Sequence, residues 1–310
     1  MQKVGIIGGS GFIGSYITKV FLDKGFEVKV SATDINREDK YQHLMDFAHV
    51  DHLYISELNV ENKSALKDFV KNCDMVIHSG TPFKLDVQNP ITELFDPTIK
   101  GTENFLKAIR KTPSVKKAVF IASVAAFNTN FPMPAYGKTP NDTFNETDTP
   151  YFSKESNPYA QAKFIAQRTV EKFIKTYPDL DFEITTVSPV MVMGKSLSKR
   201  KDSTSTNLQF LFKNKVAPNP FIKMFYKNDV EFSVVAVQDV AESVFKAATK
   251  NELHGKNYLL SSESYKVSDI TRMLNGQKPI NKPKIVYQNT LAKHDLEVAF
   301  LSVKKALYKY

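Results

Sequence analysis

The run Val4-Gly-Ile-Ile7-Gly8-Gly9-Ser10-Gly11-Phe12-Ile13-Gly14 limits what this chain can fold into more than any other stretch. Val4-Gly-Ile-Ile7 is an apolar segment of strand length, and after the glycines Ile13, Ile17, Val20 and Phe21 recur at helical spacing. Lys24-Gly25 then closes the helix and Glu27-Val-Lys-Val30 reads as the next strand of a βαβ unit. Glycine spacing alone is common in turns; its place between a strand and a helix gives it meaning. Such a turn aims the first N–H groups and the positive dipole end of the helix at one spot, and lets a pyrophosphate approach without a Cβ in the way. The predicted dinucleotide contacts here are Gly8, Gly11, Phe12, Ile13 and Gly14.

Apolar runs of strand length recur at Leu53-Tyr-Ile55, Met75-Val-Ile77, Ala118-Val-Phe-Ile121 and Ile184-Thr-Thr-Val187, with helix-like segments between most of them. Leu94, Ile99, Phe105, Leu106 and Ile109 form a core-facing set on a crossover helix over about Glu93–Ile109. The alternation predicts an α/β fold, a Rossmann-type doubly wound parallel sheet with a smaller C-terminal substrate-binding lobe. The expected division is a dinucleotide-binding domain over 1–187, with a return segment near 229–250, and the lobe over 188–310.

With 310 residues, 42% of them apolar, the chain can bury a large core. No apolar stretch approaches the roughly 20 residues of a membrane span, and Met1-Gln-Lys3 leads straight into the first strand, so the expected location is the cytoplasm, with no membrane partner. The net charge of +9 is spread along the chain and no nucleic-acid-binding motif accompanies it, which predicts anionic small ligands and no nucleic acid. The densest basic cluster, Lys195 with Lys199-Arg200-Lys201, reads as a mobile, solvated surface loop. The single cysteine, Cys73, precludes an internal disulfide and reads as a small buried residue. His49 and His52 beside Asp46 read as a solvated segment, and no metal is expected.

Tyr159 and Lys163 lie four residues apart on a helix predicted over Tyr159–Tyr177, so they share a face. An ammonium beside a phenol favours the phenolate, which predicts a lowered Tyr159 pKa and a role in general acid–base catalysis. Ser123 follows the strand Ala118–Ala122 and is expected to point into the crevice beyond the strand ends, where a carbonyl oxygen needs a second donor.

The motifs Gly8-Gly-Ser-Gly-Phe-Ile-Gly14, Ile121-Ala-Ser123-Val-Ala-Ala126 and Tyr159-Ala-Gln-Ala-Lys163 together resemble the extended short-chain dehydrogenase/reductases. His78-Ser-Gly-Thr-Pro-Phe83, Lys100-Gly-Thr-Glu-Asn104, Val115-Lys-Lys-Ala-Val-Phe120, Phe144-Asn-Glu-Thr-Asp148 and Ser188-Pro-Val190 are similar to the branch of dihydroflavonol 4-reductase, cinnamoyl-CoA reductase and methylglyoxal reductase. The resemblance implies Ser123, Tyr159 and Lys163 as the catalytic trio, with Lys163 also binding the nicotinamide ribose. It implies Thr81 and Pro82 at the border of the cofactor, Pro189 and Val190 at its nicotinamide end, Glu57 and Leu58 near adenine, and Phe83 and Asn128 facing substrate. Three departures, Ala162, Lys195 and Gln238, remove no catalytic group; the fourth is Thr33, where NADPH-using relatives carry arginine.

Cofactor choice stays open at this point. Asp34, about 20 residues beyond the glycine turn, suits the ribose hydroxyls of NAD(H), whereas Ser31, Thr33 and Arg37 suit a 2′-phosphate. The balance favours NADP(H) slightly over NAD(H). The expected activity is NAD(P)H-dependent reduction of an aldehyde or ketone by a monomer or homodimer. The alternatives are a sugar-nucleotide epimerase or dehydratase, a hydroxysteroid-type dehydrogenase, and a non-catalytic NAD(P)-sensing regulator. Specificity is expected to reside in loops 83–92 and 129–157 and in the C-terminal lobe.

Overall fold

The computed structural model describes residues 1–79, 88–200 and 203–307. Among them, seven parallel strands build one sheet: β1 (Lys3–Ile7), β2 (Glu27–Ala32), β3 (Leu53–Glu57), β4 (Met75–His78), β5 (Lys117–Ile121), β6 (Glu183–Pro189) and, far along the chain, β9 (Asn257–Leu260). Their order is β3-β2-β1-β4-β5-β6-β9. The strand order reverses between β1 and β4, which opens a crevice at the carboxyl ends of those two strands. β4 is buried throughout, and β1, β5 and β6 are buried after their first residue, because helices cover both faces.

Two apolar layers sandwich the sheet. On one face α1 (Phe12–Asp23) supplies Ile17 and Phe21, and a helix over Val237–Thr249 supplies Val240 and Val244. On the other, α2 (Lys63–Val70), α3 (Gly101–Arg110) and α4 (Pro158–Thr176) contribute Phe69, Phe105 and Val170. Each large apolar side chain fully removed from water in these layers stabilises the fold by about 1.5–3 kcal/mol. The expected crossover helix exists and runs directly out of a π-helical stretch over Ile91–Lys100 that contains Pro97. Proline has no N–H to donate, so a widened turn accommodates it where a regular α-helix would not.

The second sheet has the order β10-β8-β7, from β7 (Met191–Met193), β8 (Glu231–Ala236) and β10 (Glu263–Lys266). It packs with α5 (Thr204–Asn214) and α6 (Pro220–Lys227) around Phe212, Phe225 and Phe232. The return segment expected near 229–250 therefore divides: β8 joins this second sheet, while α7 (Val237–Thr249) packs on the first, which β9, beyond that segment, completes. The β8 sequence alternates too little to show which sheet it pairs with; that is decided by its register against Met191–Met193.

Candidate active site

The glycine turn and residues of the second sheet both line a cavity of about 320 Å³. Gly8, Gly11, Phe12, Ile13 and Gly14 line it, as do Pro189 and Val190. Gly11 caps α1 with no side chain bonded to the first amides, and its own N–H donates to the Gly8 carbonyl at 3.0 Å. A Cβ at Gly14 would overlap that same Gly8 carbonyl oxygen, so the turn closes only with glycine there. An uncapped helix start, closed by glycine and opening on a cavity, fits the diphosphate of a dinucleotide.

Ser123, Tyr159 and Lys163 line the same cavity. Ser123 leaves the end of β5 in extended conformation, and its Oγ accepts the Ala125 N–H at 3.2 Å. Asn157 caps α4 through its side chain, which accepts the Ala160 N–H at 2.9 Å, and Pro158 occupies the first turn, so the helix starts one residue earlier than expected. That cap fixes where Tyr159 and Lys163 enter the site. The Lys163 ammonium donates to the Ile121 carbonyl at 3.1 Å, and Ser123 donates a hydrogen bond to the Tyr159 hydroxyl.

Burial changes the expected electrostatics. It raises the Tyr159 pKa well above that of a free phenol, and the hydrogen bond from Ser123 offsets only part of this. Burial also pushes Lys163 down to about 8. The lowered phenol expected from sequence is thus corrected: removal of the phenol from water is the largest effect on it, and the Ser123 hydrogen bond opposes it. His78 lies behind Lys163, packed against Phe105 and Phe120; burial, then the Lys163 charge, takes its pKa down to about 4.

The other expected contacts divide. Thr33, Asp34, Arg37 and Glu57 are exposed and Leu58 is buried. Asp34 accepts the Asn36 N–H at 2.9 Å, and Arg37 pairs with its neighbour Asp39 through two bonds of 2.8 and 2.9 Å. Ser31, expected beside a 2′-phosphate, is buried and accepts the Gly8 N–H at 2.9 Å. Asn128, expected to face substrate, is fully buried, and its amide donates to the Met133 carbonyl and the Tyr287 hydroxyl at 2.9 and 2.8 Å. It holds its loop in place, because a buried amide must satisfy its donors. Thr81, Pro82 and Phe83 lie outside the described residues.

Three features of the site escape a sequence reading. Phe131, Met191, Phe221, Phe225 and Phe232 add an apolar wall to the cavity, gathered from a loop, two strands and a helix. The His43 ring bonds Ser15 of α1 at 2.8 Å. The loop 195–201, expected to be mobile, is fastened to α1 and the glycine turn: Tyr16 donates to the Lys195 carbonyl at 2.8 Å, and Arg200 reaches Ser10, while Lys201 lies outside the described residues.

The sequence matches the NAD dependent epimerase/dehydratase family over residues 4–261, more than half its length. The chain belongs to that family. It is an oxidoreductase of the extended short-chain type, in the branch of the cinnamoyl-CoA and dihydroflavonol 4-reductases. A cinnamoyl-CoA reductase of Medicago truncatula is 28% identical over 279 residues, covering 88% of this chain and 80% of the relative. An anthocyanidin reductase of Arabidopsis thaliana is 26% identical, covering 90% of this chain and 81% of the relative. Among solved structures, yeast methylglyoxal/isovaleraldehyde reductase Gre2 complexed with NADPH superposes with a TM-score of 0.79 at 23% identity, covering 99% of this chain and 96% of that one. Gre2 from Candida albicans, in complex with NADPH, gives 0.81 at 21% identity, covering 100% and 97%. At these identities the structural likeness speaks to the fold alone.

Proposed function

We propose that this protein reduces an aldehyde or ketone with NAD(P)H, and that Ser123, Tyr159 and Lys163 carry the protein's share of the chemistry. The bound cofactor supplies the hydride. Ser123 and Tyr159 hydrogen-bond to the substrate carbonyl oxygen, and Tyr159 gives it a proton as negative charge develops. A Tyr159 pKa held high by burial suits this direction, because the hydroxyl stays protonated at neutral pH. Lys163, anchored on Ile121, presents a cation that stabilises the phenolate left behind.

The observation that carries this reading is the Ser123–Tyr159 hydrogen bond on the wall of the cavity that also holds the glycine turn. The apolar wall of Phe131, Phe221, Phe225 and Phe232 favours an apolar or aromatic carbonyl compound over a sugar nucleotide, whose hydroxyls would lack partners there. The test follows oxidation of NADPH and of NADH against a panel of aldehydes, ketones and diketones, with Tyr159→Phe alongside. Turnover that disappears in the variant supports the reading. Purification with tightly retained NAD and no turnover on any carbonyl would transfer the assignment to an epimerase.

A further inference from the structure

Resting on the reading of the cavity as a site for NAD(P)H, we propose that Arg200 of the C-terminal lobe binds the 2′-phosphate of NADP(H) and makes the enzyme prefer the phosphorylated cofactor. One guanidinium nitrogen, Nη1, donates to the Ser10 carbonyl at 3.1 Å and to the Lys40 carbonyl at 3.0 Å, and lies 3.4 Å from the Ser10 hydroxyl. Ser10 belongs to the glycine turn, and Lys40 ends the short turn Glu38–Lys40 that follows the exit of β2. In a doubly wound sheet the adenosine ribose lies between the first turn and the end of the second strand, so a cation joining those two segments stands at the ribose edge.

Local charge supports the same assignment. Thr33 has no charge to offer at the end of β2, Asp34 is anionic, and the Arg37 guanidinium is engaged by Asp39. Arg200 lines the cavity beside Ser196, Ser198 and Gly11, and its charge helps to hold the half-buried His43 below its ordinary pKa, after burial itself. A dianionic phosphate placed against an arginine already oriented by two carbonyls forms charge-assisted bonds without the side chain first losing its freedom. The Tyr16 bond to the Lys195 carbonyl holds the start of the same loop on α1, so the arginine is delivered on a tethered segment.

The experiment measures dissociation constants by titration calorimetry for NADPH, NADH, adenosine 2′,5′-bisphosphate and ADP, on the full chain and on Arg200→Gln, Arg200→Lys and Lys199→Gln. Arg200→Gln is expected to weaken NADPH and the bisphosphate by about tenfold or more and to leave NADH and ADP within about twofold. Arg200→Lys should recover part of that loss, and Lys199→Gln should leave all four ligands unchanged. Equal losses on all four ligands, equal losses for Arg200→Gln and Lys199→Gln, or no loss at all would each overturn the proposal while the cofactor reading stood. Failure of the unmodified protein to bind any of the four would sink the cofactor reading itself.

Discussion

The Lys163 ammonium donates to the Ile121 carbonyl across 3.1 Å, tying α4 to the last residue of β5, two positions before Ser123. The lysine therefore positions Tyr159 and Ser123 relative to each other, and it does so while buried, with a pKa near 8. The unfolded chain keeps a lysine charged up to about pH 10.5. Between those values the unfolded state binds more protons, so this group's contribution to stability rises with pH.

That sign gives a stability test. Lys163→Met removes the cost of burying an ammonium, so relative to the wild type it should be favoured more at pH 7 than at pH 10.5, by about 3 kcal/mol. Urea unfolding of both proteins at the two pH values measures the change. An identical stability gap at both would show that Lys163 is not desolvated.

Removal of the phenolic hydroxyl in Tyr159→Phe should lower kcat by about 10²–10⁴-fold, and loss of the Ser123 hydroxyl in Ser123→Ala by about 10²-fold. Neither change touches the glycine turn, so NADPH binding followed by fluorescence should stay within about threefold of wild type. Loss of binding in step with loss of rate would point to a role in folding or cofactor capture instead.

His78 is buried, and its imidazole is held near pKa 4 first by desolvation and then by Lys163. An unfolded histidine titrates near 6.5, so acidification from pH 6.5 to 4 favours the unfolded state here by about 2 kcal/mol. His78→Phe, which keeps a ring between Phe105 and Phe120, should flatten the stability profile over that window. Chemical denaturation at half-unit pH steps reads it, and an unchanged slope would mean other groups account for the acid sensitivity.

Gly14→Ala should abolish nucleotide binding and cost about 2 kcal/mol or more of stability, because the new methyl group would occupy the position of the Gly8 carbonyl oxygen. Thermal melts with and without NADPH separate the two effects. A variant that melts like wild type and still gains stability from NADPH would show that the turn can open.

What the sequence disclosed was local. The glycine turn, the buried strands and the Tyr159–Lys163 helix each depend on residues within a turn or two of one another, and periodicity or spacing exposes them. Asn128 misled because an asparagine in a loop looks the same whether it faces a ligand or, as here, donates to Met133 and Tyr287. The Tyr159 pKa took the opposite sign because spacing reports the neighbouring lysine and says nothing of burial, which supplies the larger effect. Arg200 looked like surface charge, since its contacts with Ser10 and Lys40 span most of the chain.

The outermost strand of the main sheet carries a consequence for synthesis. β6 pairs on one side with β5 and on the other with β9, whose residues Asn257–Leu260 are translated long after Pro189. Until they emerge, the growing chain presents an uncovered strand edge, open to pairing with any other extended segment nearby. Products cut short between these two strands should therefore aggregate rather than persist as a smaller dinucleotide-binding protein.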